Sequence, residues 1–119
     1  MFIGRVVGNV WATVKWPEVR GIKLLSVQPY HVSDLRGDLR SDGAPSCHDL
    51  VVVADMLDAG IGDDVVVAYG HAARVALSEA LGEHDRPSVP VDAAVVGIVD
   101  RVDVDGDAVQ RAVETRGER

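Results

Sequence analysis

The sequence contains one cysteine, Cys47, in 119 residues. A single thiol excludes an intramolecular disulfide and a zinc site closed by several cysteines, and it fits a reducing compartment. The sequence also lacks an apolar stretch long enough to span a bilayer, and no basic segment precedes an apolar one at its N-terminus. These absences favour a soluble cytoplasmic protein with no membrane partner.

Aromatic and basic residues are scarce as well. Aromatic residues make up 4% of the chain, and 12 Lys and Arg stand against 19 Asp and Glu, for a net charge of −7. An acidic surface repels phosphate groups, and a barrel that binds single-stranded nucleic acid needs aromatic platforms along a basic groove. We therefore expect no nucleic-acid partner.

Valine is abundant, with 23 copies in the chain. Such an excess of β-branched residues favours strands, and 47% hydrophobic residues suffice for one compact core. Five apolar blocks bounded by turn-forming residues predict five strands: 2–14, 22–30, 50–57, 64–69 and 93–104.

One alanine-rich segment, 71–82, predicts a short helix that stops at Gly82. Five strands with one helix between the fourth and fifth predict a mainly β domain over residues 1–105, a five-stranded closed barrel of the OB type. A small β-sandwich is the alternative. Residues 31–48 are expected to form a surface loop, and residues 106–119 a C-terminal tail or short helix.

Three further expectations concern packing. The glycine-rich segment 58–63 predicts a hairpin that makes the third and fourth blocks antiparallel neighbours. The fifth block is apolar on both faces, so its second face needs a partner, either the helix or another subunit. Trp11 and Trp16 are expected in the barrel wall or at an interface.

Metal-binding chemistry is not indicated. The four histidines have no paired spacing, and the adjacent Cys47 and His48 are poorly placed to share one metal. A calcium-loop pattern that begins at Asp103 fails at Ala108, where glycine is required. We expect no metal and no cofactor.

Catalytic chemistry is not indicated either. Two carboxylate pairs, Asp63 with Asp64 and Asp100 with Asp103, are no more than chance provides among 19 acidic residues. The serines lack the context of a catalytic nucleophile. We therefore predict no catalytic residue and no enzyme activity.

Charge is unevenly distributed along the chain. Residues 1–30 carry four basic residues and one acidic residue, a net of +3, and residues 31–119 carry −10. Such a split suggests self-association through complementary faces, unless folding intermixes the charges.

An ordered series of short motifs runs from residue 2 to about residue 100. The motifs are Gly4-Arg-Val-Val-Gly8-Asn-Val-Trp-Ala-Thr13, Gly21-Ile-Lys23-Leu-Leu-Ser-Val27-Gln-Pro29, Val53-Ala-Asp55, Ala59-Gly60-Ile-Gly62 with Val65-Val-Val67, Gly70-His-Ala-Ala-Arg74 and Pro90-Val-Asp92-Ala-Ala-Val-Val-Gly97-Ile-Val-Asp100. This series resembles the EutN/CcmL family of pentameric vertex proteins from bacterial microcompartments. The usual Gly-Ser-Ser-Ala-Arg stretch of that family stands here as Gly70-His-Ala-Ala-Arg74.

The resemblance implies a cyclic homopentamer that caps the five-fold corners of a microcompartment shell otherwise tiled by hexameric shell proteins. A ring of this kind joins two different surfaces of neighbouring subunits. The alternative is an oligomeric β-barrel that binds a small molecule or peptide and has no shell role. The candidate subunit-interface residues are Gly60, Ile61, Gly62, Pro90, Val91, Asp92, Val96, Gly97 and Ile98.

Overall fold

The computed structural model describes residues 1–31, 34–35, 49–80, 82 and 90–105. The five strands and the helix between the fourth and the fifth confirm the predicted mainly β fold. In chain order the elements are β1 (Phe2–Val10), a 3₁₀ helix (Pro17–Val19), β2 (Lys23–Pro29), β3 (Val51–Asp55), β4 (Asp64–Tyr69), α1 (His71–Ala80) and β5 (Ala93–Ile98).

The strands form a closed barrel in the order β1-β2-β3-β5-β4, with β4 returning to β1. Closure pairs both edges of the sheet and rules out the sandwich alternative. All neighbours are antiparallel except β3 and β5, which are parallel and joined at one pair, Ala54 with Ala94.

The predicted hairpin between the third and fourth blocks is wrong, because β5 lies between β3 and β4. Residues 56–63, which we name the rim loop, connect these two strands across one end of the barrel. Ala59 in the middle of this loop is fully buried and belongs to the barrel core. The loop therefore plugs the barrel end instead of turning tightly between adjacent strands.

Four of the five strands are shorter than the blocks that predicted them, and the difference is largest for β1 and β5. The first block extends to residue 14, but Val10 pairs with Leu24 beside the first residue of β2, so no partner remains beyond it. The fifth block extends to residue 104, but Ile98 already pairs with Val65 beside the first residue of β4. A strand ends where its neighbours end.

The barrel interior is filled by valine and alanine side chains and one leucine, which alternate along the strands as the period of two requires. This cluster consists of Val6, Leu25, Val27, Val53, Ala59, Val65, Val67, Ala93 and Val95.

A second apolar cluster places α1 over the β3–β5 seam, where the sheet has a single pair of partners. Ala73 and Leu77 of the helix pack against Ala54 and Ala94. Part of the second apolar face of the fifth block is thus covered by the helix, whereas Ile98 stays 42% exposed. At the helix end Gly82 has φ +80° and its N–H donates to the Glu79 carbonyl at 3.1 Å, so the chain turns there as predicted.

Several predictions fall outside the described residues: most of the 31–48 loop, the pair Cys47 and His48, and the tail 106–119. Within the described residues, no helix has the length and apolar character needed to cross a membrane.

Candidate assembly surfaces

The first half of the rim loop is built around a buried carboxylate. Asp55, at the end of β3, is 2% exposed and accepts hydrogen bonds from the backbone N–H groups of Leu57 at 2.9 Å and Ala59 at 2.7 Å. Lys23 Nζ lies 3.4 Å from the same carboxylate and also donates to the Ala59 carbonyl. Asp55 and Lys23 thus hold the loop backbone in the conformation that places the Ala59 side chain in the barrel core.

The second half of the rim loop is closed by Asp63. The Asp63 carboxylate accepts from the Gly60 N–H at 2.8 Å, and the Asp63 N–H donates to the Gly60 carbonyl at 3.0 Å. Gly62 has φ +94°, a left-handed conformation that glycine adopts without strain, and its N–H donates to the Val6 carbonyl at 2.8 Å. The result is a fixed turn with Ile61 at its tip, 65% exposed.

Three exposed apolar side chains lie at this end of the barrel, and we name them the rim surface: Val7, Ile61 and Ile98. Val7 is 40% exposed and follows Val6, which is hydrogen-bonded to the rim loop. Ile98 is brought there because Val99 N–H donates to the Asp64 carbonyl at 2.8 Å. Two of the predicted interface segments, 60–62 and 96–98, therefore meet at one end of the fold.

The third predicted segment, Pro90 to Asp92, lies at the opposite end of β5. It lines an open pocket of about 410 Å³ together with the start of α1, and we name this the helix-end pocket. The Gly70 N–H donates to the Asp92 carbonyl at 2.6 Å, which ties the two segments together. The pocket is lined by Gly70, His71, Arg74, Pro90, Val91 and Asp92.

Gly97 has room for a side chain within its own protomer. A Cβ atom placed there would lie 3.9 Å from Val66, an ordinary contact. The register with β4 shifts beside it, between Val66 and Val67, which leaves Val96 and Gly97 half-buried. A larger residue at position 97 would therefore disturb contact with a neighbouring molecule more than it would disturb the packing of the barrel.

Asp64, the first residue of β4, is buried and bonds to one side chain of β1 and to one that directly follows β2. Its carboxylate lies 3.2 Å from Arg5 Nε and accepts a hydrogen bond of 2.5 Å from the Tyr30 hydroxyl. The Arg5 guanidinium lies 5.6 Å from the centre of the Tyr30 ring. Burial, and then the bond to Asp64, raise the pKa of Tyr30 far above its ordinary value.

The two carboxylate pairs noted in the sequence do not form acid–base pairs. The Asp63 carboxylate accepts a hydrogen bond within the rim loop, and the Asp64 carboxylate bonds to Arg5 and Tyr30. Asp103 pairs at 2.9 Å with exposed Arg101. Across the described residues, no cluster of three His, Cys, Asp or Glu side chains could hold a metal ion.

Folding intermixes the charges that are separated along the chain. Arg5 pairs with Asp64, and Lys23 lies close to Asp55 and to Asp58, 3.5 Å away. Two of the four basic residues in 1–30 thus pair with acidic residues from the rest of the chain within the protomer.

Residues 11–22, which join β1 to β2, form a segment that we name the arm. None of residues 11–18 is buried. Trp11 and Trp16 are 89% and 74% exposed, so the expectation of a place in the barrel wall is wrong for both. The other alternative, a place at an interface, stays a prediction for both residues.

Comparison with known proteins gives one consistent result. The family model described as "Ethanolamine utilisation protein EutN/carboxysome" matches residues 1–100. The carboxysome shell vertex protein CcmL of Synechocystis is 38% identical over 104 residues, 87% of this chain and 87% of that protein. The bacterial microcompartment shell vertex protein GrpN of Rhodospirillum rubrum is 37% identical over 103 residues, 87% of this chain and 97% of that protein.

Solved structures agree with the sequence matches. The structure of CcmL from Gloeobacter violaceus superposes with a TM-score of 0.68 at 38% identity, covering 88% of this chain and 91% of that one. GrpN from Rhodospirillum rubrum, described as a pentameric microcompartment shell protein, superposes with a TM-score of 0.63 at 34% identity, covering 87% of this chain and 100% of that one. The similarity includes the whole barrel.

Proposed function

The chain belongs to the EutN/CcmL family, and on that premise we propose that it assembles as a cyclic homopentamer that closes the five-fold vertices of a bacterial microcompartment shell. The observation that carries the proposal is the match to a pentameric shell protein along the full length of that chain. The barrel described above is one fifth of the vertex.

The geometry of a closed shell explains why it needs a pentameric protein. A flat layer of hexameric shell proteins cannot close into a polyhedron without pentagons, so the partners of the pentamer are hexameric shell proteins. A ring of five identical subunits uses a heterologous interface, in which one surface of each protomer meets a different surface of its neighbour. Each protomer must therefore carry two complementary surfaces.

We assign these two surfaces to the ends of β5. The rim surface offers Ile61 and Ile98 with exposed Asp58 beside it. The helix-end pocket offers Pro90 and Val91 with the cationic side chain of Arg74. Apolar contact and opposite charge favour a head-to-tail arrangement in which the rim surface of one protomer meets the helix-end pocket of the next.

Replacement of Gly97 tests this assignment. Gly97→Arg places a long charged side chain next to the rim surface, and we expect light scattering to give a mass below that of the pentamer. Gly97→Ala is the matched control, because a Cβ atom meets only ordinary contacts there, and it should stay pentameric. Circular dichroism should show β structure in both. A pentameric Gly97→Arg or Val96→Asp variant would contradict the assignment.

Shell closure tests the role itself. Co-expression of this chain with hexameric shell proteins should give closed particles in electron micrographs, whereas omission of the chain should give open or elongated ones. Closed particles of normal shape in its absence would rule out the vertex role.

The proposed role is structural and requires no catalytic residue, metal or cofactor. The relatives carry the names of shell vertex proteins rather than of enzymes. The alternative, a barrel that binds a small molecule or peptide, is less well supported, since nine buried side chains fill the barrel interior.

A further inference from the structure

The arm presents three large apolar side chains to water. Trp11, Val14 and Trp16 are 89%, 93% and 74% exposed, and these are the only two tryptophans of the chain. Exposed apolar surface that is contiguous rather than scattered marks an interaction site. Tryptophan is also the residue most enriched among the side chains that dominate binding energy at protein interfaces.

Local hydrogen bonds hold the arm in shape. Lys15 Nζ donates to the Ala12 carbonyl at 2.8 Å. The N–H groups of Val19, Arg20 and Ile22 each donate to a carbonyl three residues earlier, at 3.0, 3.1 and 3.2 Å. A segment that is ordered before it binds loses less conformational entropy on docking.

Trp11 lines one side of an apolar groove of about 360 Å³. Its lining includes Val10, Ala12, Val19 and Ile22. The arm thus combines projecting side chains with a recess large enough for an apolar side chain of a partner.

The arm is assigned to neither contact of the proposed ring. A cyclic pentamer needs two complementary surfaces on each protomer, and the proposal gives these roles to the rim surface and the helix-end pocket. The arm is a third apolar surface, carried by the connection between β1 and β2 and separate in residues from the other two. Its exposed cations, Lys15 and Arg20, outnumber its one acidic residue, Glu18, on a chain of net charge −7.

We propose that the arm is the outward docking site of the vertex, and that its occupant is a neighbouring shell protein of a different chain with an apolar edge flanked by carboxylates. This inference rests on the proposed function. Trp11 and Trp16 pack on that edge, the groove receives an apolar side chain from it, and Lys15 and Arg20 face its carboxylates.

Tryptophan fluorescence provides a direct test, because both indole rings of the chain lie on the arm. In the purified pentamer, emission should be that of water-exposed indole and fully quenched by acrylamide, a neutral quencher. Addition of a purified hexameric shell protein with its own tryptophans replaced by phenylalanine should shift the emission to the blue and reduce quenching. Shielded tryptophans in the pentamer alone would assign the arm to a second copy and overturn the proposal, as would unshielded tryptophans in a shell-bound pentamer.

A variant pair provides a second test. Trp11→Ser with Trp16→Ser should leave the pentamer intact in native mass spectrometry and weaken binding to the hexameric shell protein by about tenfold or more. Val75→Ser, which removes an apolar side chain 43% exposed on α1, is the control and should bind as the unchanged chain does. Loss of the pentamer in the double variant would overturn the proposal. An unchanged chain that is not pentameric would instead refute the proposed function, and this inference with it.

Discussion

The rim loop and the arm both expose apolar side chains, but they are built in opposite ways. In the rim loop two carboxylates, those of Asp55 and Asp63, hold the backbone, and Ala59 fills the end of the barrel. In the arm residues 11–18 are all exposed, and its hydrogen bonds join residues three apart. The rim loop contributes to the barrel core, whereas residues 11–18 of the arm are exposed and only Ile22, at the end of the arm, packs against a buried cluster.

Because of this difference, changes in the rim loop affect both folding and assembly, whereas changes at the tip of the arm affect assembly alone. Any change that loosens the rim loop also opens the barrel end, so its effect on the pentamer cannot be isolated from its effect on folding. Changes at the tip of the arm leave the core untouched and act only on what the arm contacts. Four predictions test this contrast, in order of decreasing effect.

Asp55→Ala should be the most damaging change. It leaves the backbone N–H groups of Leu57 and Ala59 without their acceptor, and each buried donor left unsatisfied costs about 1–3 kcal/mol of unfolding free energy. Urea unfolding at fixed protein concentration measures the loss. The control is Asp58→Asn, which tolerates the φ of +63° at that exposed position and should leave the unfolding midpoint unchanged. Equal effects would mean that the buried carboxylate does not hold the loop.

Gly62→Ala should be next, because φ is +94° and an alanine in the left-handed region costs about 1–2 kcal/mol. Gly21→Ala is the matched change in the arm, with φ +79° and equally open space around the Cβ position. Because the exposed residues that precede Gly21 can adjust without moving the core, we expect a smaller loss there in the same urea experiment. A larger loss at Gly21 would reverse the contrast.

Tyr30→Phe removes the hydroxyl that donates to Asp64 directly after the rim loop, at a cost of about 1 kcal/mol. The pKa of Tyr30 is raised in the folded chain, so its contribution is complete below the ordinary tyrosine value of about 10 and is lost as pH rises above it. Unfolding curves from neutral pH to pH 11 should therefore converge for the two proteins above pH 10. A constant difference across that range would contradict the hydrogen bond to Asp64.

Replacement of both tryptophans of the arm by serine should change the unfolding free energy least, within about 0.5 kcal/mol, as expected for exposed positions. Thermal and urea unfolding measure this at neutral pH. A loss as large as that of Gly62→Ala would mean that the arm packs on the barrel.

The strands and the helix were predictable because valine-rich blocks and the stop at Gly82 are local signals. The strand order was not, because periodicity says which residues form a strand but not which strand lies beside it. Nothing in the segment 58–63 alone distinguishes a hairpin from a loop that crosses the barrel end. The burial of Ala59 decides between them, and burial is a property of the whole fold.

The predicted subunit-interface residues stay a prediction, and the structure shows where in the fold they lie. The segments 60–62 and 96–98 lie at one end of the barrel, and Pro90–Asp92 lies at the other end. The sequence alone did not indicate that these segments form two separate surfaces. The roles of Asp55 and Lys23 were missed, since among 19 acidic residues one buried carboxylate has no distinctive sequence context. The position of Asp55 directly after the apolar residues 51–54 was the one available signal.

Native mass spectrometry of the purified chain tests the central claim most directly. The account predicts one dominant species with five times the 12.7 kDa mass of the chain, retained in the double tryptophan variant and lost in Gly97→Arg. A stable monomer or dimer, or a ring of any other number of subunits, would contradict it.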